Sequence, residues 1–138
     1  MAPSKTWNIP ALSSAFAVIP NAQLRKQYLA AGRGLLPEVN VLGLVATEAA
    51  YRDGGPWRTA LLSYLEANAQ RVHQAINALP GLSCCKPQAT YLAWIDARKL
   101  NLRDAQKHFE AHGVGLSDGR DFGMEGFVRL NFACSQTL

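Results

Sequence analysis

The strongest pattern along the chain lies in residues 57–79, where Leu61, Leu62, Leu65, Ala69, Val72, Ile76 and Leu79 recur mostly at steps of three and four. Apolar residues at that spacing share one side of a helix, so the stretch predicts a helix of roughly six turns with a continuous core-facing stripe. Pro80 and Gly81 end it. Two shorter helices are predicted ahead of it. Asn21 caps the first, which carries Leu24, Tyr28 and Leu29 on one side and ends near Gly32 or Gly34. Val41, Leu42, Val45 and Ala49 mark the second, which Asp53-Gly-Gly-Pro56 stops.

The two ends of the chain follow other rules. Residues 1–12 read as a loop, because Asn8 and Pro10 oppose regular structure, and the apolar run 14–20 reads as a buried strand closed by Pro20. In the last third the period drops towards two. Residues 90–96 (Thr-Tyr-Leu-Ala-Trp-Ile-Asp) are aromatic and β-branched enough for a strand, and 102–112 read as a helix closed by Gly113. Two further strands, 114–117 and 126–132, are joined by Asp118-Gly-Arg-Asp-Phe-Gly123. The class implied is α/β with α+β character.

Composition narrows the function. Of 138 residues, 49% are hydrophobic and 17% charged, the balance of a folded chain and not of a disordered tail. No apolar run is long enough for a membrane helix, and Pro10, Ser13 and Ser14 break the loose imitation of a secretory signal near Lys5, so a cytoplasmic protein is expected. Cys84, Cys85 and Cys134 have neither a disulfide framework nor metal-ligand spacing, so reduced thiols and no metal site are expected. The net charge of +4 comes from fourteen dispersed basic residues without a stripe, which argues against nucleic acid.

Two residues could carry chemistry. Alternation in strand 126–132 puts Val128, Leu130 and Phe132 on one face and Phe127, Arg129 and Asn131 on the other. A half-buried arginine there must meet one of the chain's own ten acids, an anionic ligand or water, because an unpaired buried charge is costly. Its planar fork suits a bidentate carboxylate. Lys5, between Ser4 and Thr6, is a candidate nucleophile only if its surroundings activate it; otherwise it is a solvated surface lysine.

Read together, four blocks give these residues a context. Ala2-Pro-Ser-Lys-Thr-Trp-Asn-Ile-Pro-Ala-Leu12 resembles the cofactor-lysine segment of the cystathionine β-lyase-like branch of the fold-type I pyridoxal-phosphate (PLP) enzymes, within the class I/II aminotransferase family. Gly54-Gly-Pro-Trp57, Ala89-Thr-Tyr-Leu-Ala-Trp-Ile-Asp96 and Gly126-Phe-Val-Arg-Leu-Asn-Phe132 are similar to that family's later blocks, in its order. The resemblance implies a carboxy-terminal portion of such an enzyme, incomplete at both ends. Residues 1–20 would be a remnant of the large PLP-binding domain, and 21–138 the connecting helices and small domain, a short sheet flanked by helices.

It further implies that Lys5 forms the PLP Schiff base and moves the Cα proton, while Arg129, with Asn131 beside it, binds the substrate carboxylate. The family often has a phosphate-binding serine three residues before the lysine and an arginine eight after it. Those positions are Ala2 and Ser13 here, which leaves Ser4 or Ser13 for the phosphate. The implied reaction is α,β-elimination from an L-cysteine S-conjugate to thiol, pyruvate and ammonia, by a homodimer acting on a small amino acid. Aminotransfer on the same scaffold, or a non-catalytic regulatory module, are the alternatives. Much of the family's site precedes the lysine, so this chain alone is expected to be inactive, and apolar surface at 14–19 is expected to drive association.

Overall fold

Pro3 opens the first element, because a fixed φ and a missing N–H suit the first position of a helix. The computed structural model describes residues 1–137 and begins with the single turn α1 (Pro3–Thr6), followed by a 3-10 turn at Pro10–Leu12. The loop expected over 1–12 is therefore partly helical, and Lys5 stands in the turn. The run 14–20 is not a strand: its backbone pairs with no neighbouring strand, and Phe16 and Val18 are exposed. An apolar run carries no information about whether a partner strand lies beside it. The exposed apolar surface expected there is present at these two residues.

Side-chain caps fix where the next helices start. Asn21 Oδ1 accepts from the N–H groups of Gln23 and Leu24 at 2.9 and 3.0 Å, opening α2 (Ala22–Gly32). Asn40 Oδ1 accepts from Gly43 N–H at 2.7 Å, opening α3 (Val41–Asp53). The long stripe forms α4 (Gly55–Ala78). The chain divides into two compact units, 1–60 and 61–138, with α4 beginning in the first.

In the second unit the strands β1 (Ser83–Cys84), β2 (Leu92–Asp96), β3 (Ser117–Asp118) and β4 (Phe127–Asn131) form an antiparallel sheet in the order β1-β2-β4-β3. The helix α5 (Ala105–Ala111) is capped by Asp104, which accepts from Lys107 N–H at 3.0 Å. One face of the sheet is the core. Ala93 and Ile95 from β2, Val128 from β4 and the adjoining Phe132 pack with Leu65 and Ala69 of α4. Burying a side chain such as Ile95 or Val128 stabilises the fold by about 1.5–3 kcal/mol. Within the stripe, Leu61, Val72 and Ile76 rest against this core, whereas Leu62 on its flank and Leu79 beyond the helix end are exposed.

The segment after β4 is tied to α4 by the buried Asn68. Its Nδ2 donates to the Phe132 and Cys134 carbonyls at 3.0 and 3.2 Å, and its Oδ1 accepts from Gln136 Nε2 at 3.0 Å. The helices with a small antiparallel sheet have the α+β character read from the sequence.

Candidate active site

In the first unit, the segment carrying Lys5 is pinned along α3. Trp7 caps α1 by donating its N–H to Pro3, and its indole donates to the Gly54 carbonyl at 3.0 Å. The same ring meets Tyr51 edge-on at 4.7 Å, and Tyr51 meets Phe16 at 5.7 Å. Asn40 Nδ2 donates to the Leu12 carbonyl at 3.1 Å, while the Thr47 hydroxyl lies 2.9 Å from that of the buried Ser14. The approach is close enough to require glycine: a Cβ at Gly43 would stand 2.6 Å from the Leu12 carbonyl oxygen. These contacts fix the backbone that follows Lys5.

The Lys5 side chain itself is exposed and makes no ion pair among the described residues. Ser4 is half-buried, and its carbonyl accepts from Ile9 N–H at 3.0 Å. Ser13 closes the 3-10 turn in a left-handed conformation, φ 46°, with its side chain exposed.

In the second unit, the sheet face opposite the core carries the predicted arginine. Antiparallel register sets Trp94 and Ser117 opposite Arg129 on either side, Phe127 opposite Asp96, and Asn131 opposite Leu92. Arg129 Nη2 donates to Ser117 Oγ at 3.2 Å, and its guanidinium lies 4.2 Å from the centre of the Phe122 ring. Phe122 meets Trp94 edge-on at 5.8 Å, and Trp94 stacks on Phe127 at 5.6 Å. Arg129 is half-buried, yet among the described residues no acid pairs with it. Of the three outcomes open to it, one of the chain's own acids is thus not the one found. Asn131 is exposed on the same face, and its Oδ1 accepts from Ala133 N–H at 2.9 Å.

Sequence reasoning missed the neighbours of Arg129. Ser117 was read as the end of a strand and Phe122 as part of the connection that follows it, and the available signal was a hydroxyl ending one strand and an aromatic inside a short return to the next. Gly119 allows that turn to lie against β4: a Cβ on it would meet the carbonyl oxygens of Met124 and Phe127 at 2.2 and 2.5 Å. Beside this row a cavity of about 460 Å³ opens, walled by Leu92, Trp94, Phe127 and Pro87.

Two further arginines near the face are paired with acids. Arg98 forks onto Asp96 at 3.0 and 2.8 Å, and Arg120 bridges Asp118 at 2.9 Å and Asp104 at 3.0 Å. Hydrogen bonds from the Arg98 side chain and backbone N–H pull the Asp96 carboxyl down to about 2 from its ordinary 3.8. Arg120 lowers Asp118 chiefly through its side chain, and the Lys107 N–H lowers Asp104. A carboxyl depressed on folding stabilises above its unfolded pKa, and that contribution disappears as pH falls through the folded value. Unfolding by urea should therefore show stability declining between about pH 4 and pH 2. Asp96→Asn should flatten that decline, and an acid limb unchanged in this variant would contradict it.

Residues 3–137 match the family model described as aminotransferase class I and II. Protein MalY of Escherichia coli strain K12 is 44% identical over 97% of this chain and 36% of its own length. A crystal structure of OvoB superposes with a TM-score of 0.96 at 48% identity, covering 99% of this chain and 36% of that one. A crystal structure described as that of a putative PLP-dependent β-cystathionase from Corynebacterium diphtheriae superposes with a TM-score of 0.86 at 36% identity, covering 99% of this chain and 37% of that one. The chain spans about a third of the length of these relatives. None of the described helices is long and apolar enough to cross a membrane.

Proposed function

Since the chain belongs to the class I and II aminotransferase family, we propose that it supplies the cofactor lysine and the substrate-carboxylate arginine of a PLP-dependent carbon–sulfur β-lyase. The observation that carries this reading is Arg129: a half-buried guanidinium held by a hydroxyl and a ring, with no acid of the described chain to neutralise it. Such a group is prepared for an external carboxylate, which it can grip with two parallel N–H donors.

Lys5 fits the cofactor by the chemistry of its amine. It is accessible, has no acid partner among the described residues, and is the kind of group that condenses with an aldehyde. Ser4 and Ser13, in the same pinned segment, are the hydroxyls assigned to the cofactor phosphate. PLP, when bound, supplies an electron sink for the substrate α-carbon. The residues do the rest: Arg129 and Asn131 hold the α-carboxylate end, and Lys5 takes the proton from the α-carbon. Loss of the β-substituent as a thiolate then converts the L-cysteine S-conjugate, with one water, to thiol, pyruvate and ammonia.

In this reading residues 1–20 belong to the large domain and 21–138 to the connecting helices and small domain. The working protein is a cytoplasmic homodimer acting on a small amino-acid substrate. Similarity to relatives of this chemistry supports the reading, among them a protein described as a putative PLP-dependent β-cystathionase of Corynebacterium diphtheriae.

The test is borohydride reduction of the PLP-treated protein followed by peptide mass mapping. Selective labelling of Lys5 is expected. Labelling spread evenly over Lys26, Lys86, Lys99 and Lys107 as well as Lys5 would remove the reading.

A further inference from the structure

We propose that Ser117 and Phe122 are positioning residues that fix the plane of the Arg129 guanidinium, and so the edge it offers to a carboxylate; this rests on the reading of Arg129 as the substrate-carboxylate group. An arginine side chain has many rotamers and five N–H donors. A flexible one would have to be ordered on each binding event, whereas contacts made beforehand lower that cost.

Two different contacts do this ordering. The register of β3 against β4 sets Ser117 directly opposite Arg129, where Ser117 Oγ accepts one N–H from Nη2 at 3.2 Å. The guanidinium carbon sits over the Phe122 ring, 4.2 Å from its centre, and Trp94 braces that ring edge-on at 5.8 Å. With the ring contact made and one donor used, four N–H groups remain for a ligand. The serine hydroxyl has no part in the β3–β4 ladder, which is made by backbone groups, so its contact with the arginine is separable from the sheet. Phe122 reaches the arginine only because the turn Gly119–Phe122 folds back over the strand that follows it. Ser117 and Phe122 therefore act on the substrate through Arg129, whatever the role of Lys5.

The full chain, labelled with [15N]arginine, allows a direct test. The Arg129 side-chain Nε–H signal, assigned by its loss in Arg129→Lys, gives an order parameter without ligand, and titration with acetate at constant ionic strength gives a dissociation constant. In Ser117→Ala the order parameter should fall from the rigid range, about 0.8, to below about 0.6. The acetate constant should weaken roughly 2- to 10-fold, the factor associated with one hydrogen bond. Ser117→Thr, which keeps the hydroxyl on a residue suited to a strand, should restore both, and Phe122→Leu should repeat the loss. Order parameter and titration at wild-type values in both Ser117→Ala and Phe122→Leu would overturn the proposal, as would a loss that threonine fails to rescue. If Ser117→Ala loosens the side chain but acetate does not shift the wild-type signal, positioning stands and the carboxylate reading of Arg129 falls.

Discussion

Replacing Arg129 by alanine in the assembled enzyme is expected to lower kcat/KM for an amino-acid substrate by about 10²–10³-fold, nearly all of it through KM. Removing one partner of a desolvated, hydrogen-bonded charge pair costs roughly 2–5 kcal/mol, and a hundredfold is about 2.7 kcal/mol. The substrate carboxylate keeps its charge from the bound state to the transition state. In the role proposed for Arg129 the contact is therefore made equally in both, and its loss raises KM while sparing kcat. Arg129→Lys keeps the charge but not the fork, and should fall between the two. Steady-state kinetics decide the matter, and a fall confined to kcat at unchanged KM would place the carboxylate elsewhere.

A second large effect is expected in the fold. Gly119→Ala should destabilise the protein by about 3 kcal/mol, the upper part of the range for overpacking a filled site. The obstruction is backbone and not a side chain that could swing away: the new Cβ would meet the Met124 and Phe127 carbonyl oxygens at 2.2 and 2.5 Å. Relief requires the 119–122 turn to lift from β4, which also withdraws Phe122 from the guanidinium of Arg129. A thermal midpoint lowered by roughly 10 °C would match that cost for a chain of this size. Gly113→Ala makes a useful contrast, since nothing lies within 4 Å of a Cβ there and only its positive φ, 83°, opposes the change. A Gly119→Ala midpoint equal to wild type would show that the turn is not seated as described.

Much of this architecture could be read from the residues, and the exceptions have identifiable causes. The α4 stripe and the alternation in β4 were legible because both patterns are local: Val128 and Phe132 are buried and Arg129 stands on the opposite face, as alternation requires. The run 14–20 was misread because strand formation depends on a neighbour, and none pairs with it. The turn at Pro3–Thr6 is too short to generate any periodicity; only the proline at its first position announces it. The roles proposed for Lys5 and Arg129 came from motif blocks in a family order, which single out residues without describing their surroundings. What surrounds Arg129 depended on register across β2, β4 and β3, a long-range property. For that reason Ser117, Phe122 and Trp94 could not be assigned to it beforehand.

Both outer strands of the sheet, β1 and β3, are only two residues long, whereas the inner β2 and β4 have five each. Long unpaired borders of backbone N–H and C=O groups are templates on which other chains add as extra strands. By keeping its borders short, this sheet offers few such rungs to a passing polypeptide. Cross-β growth seeded from the native sheet is disfavoured, and a mutation that extended β1 or β3 would weaken that protection.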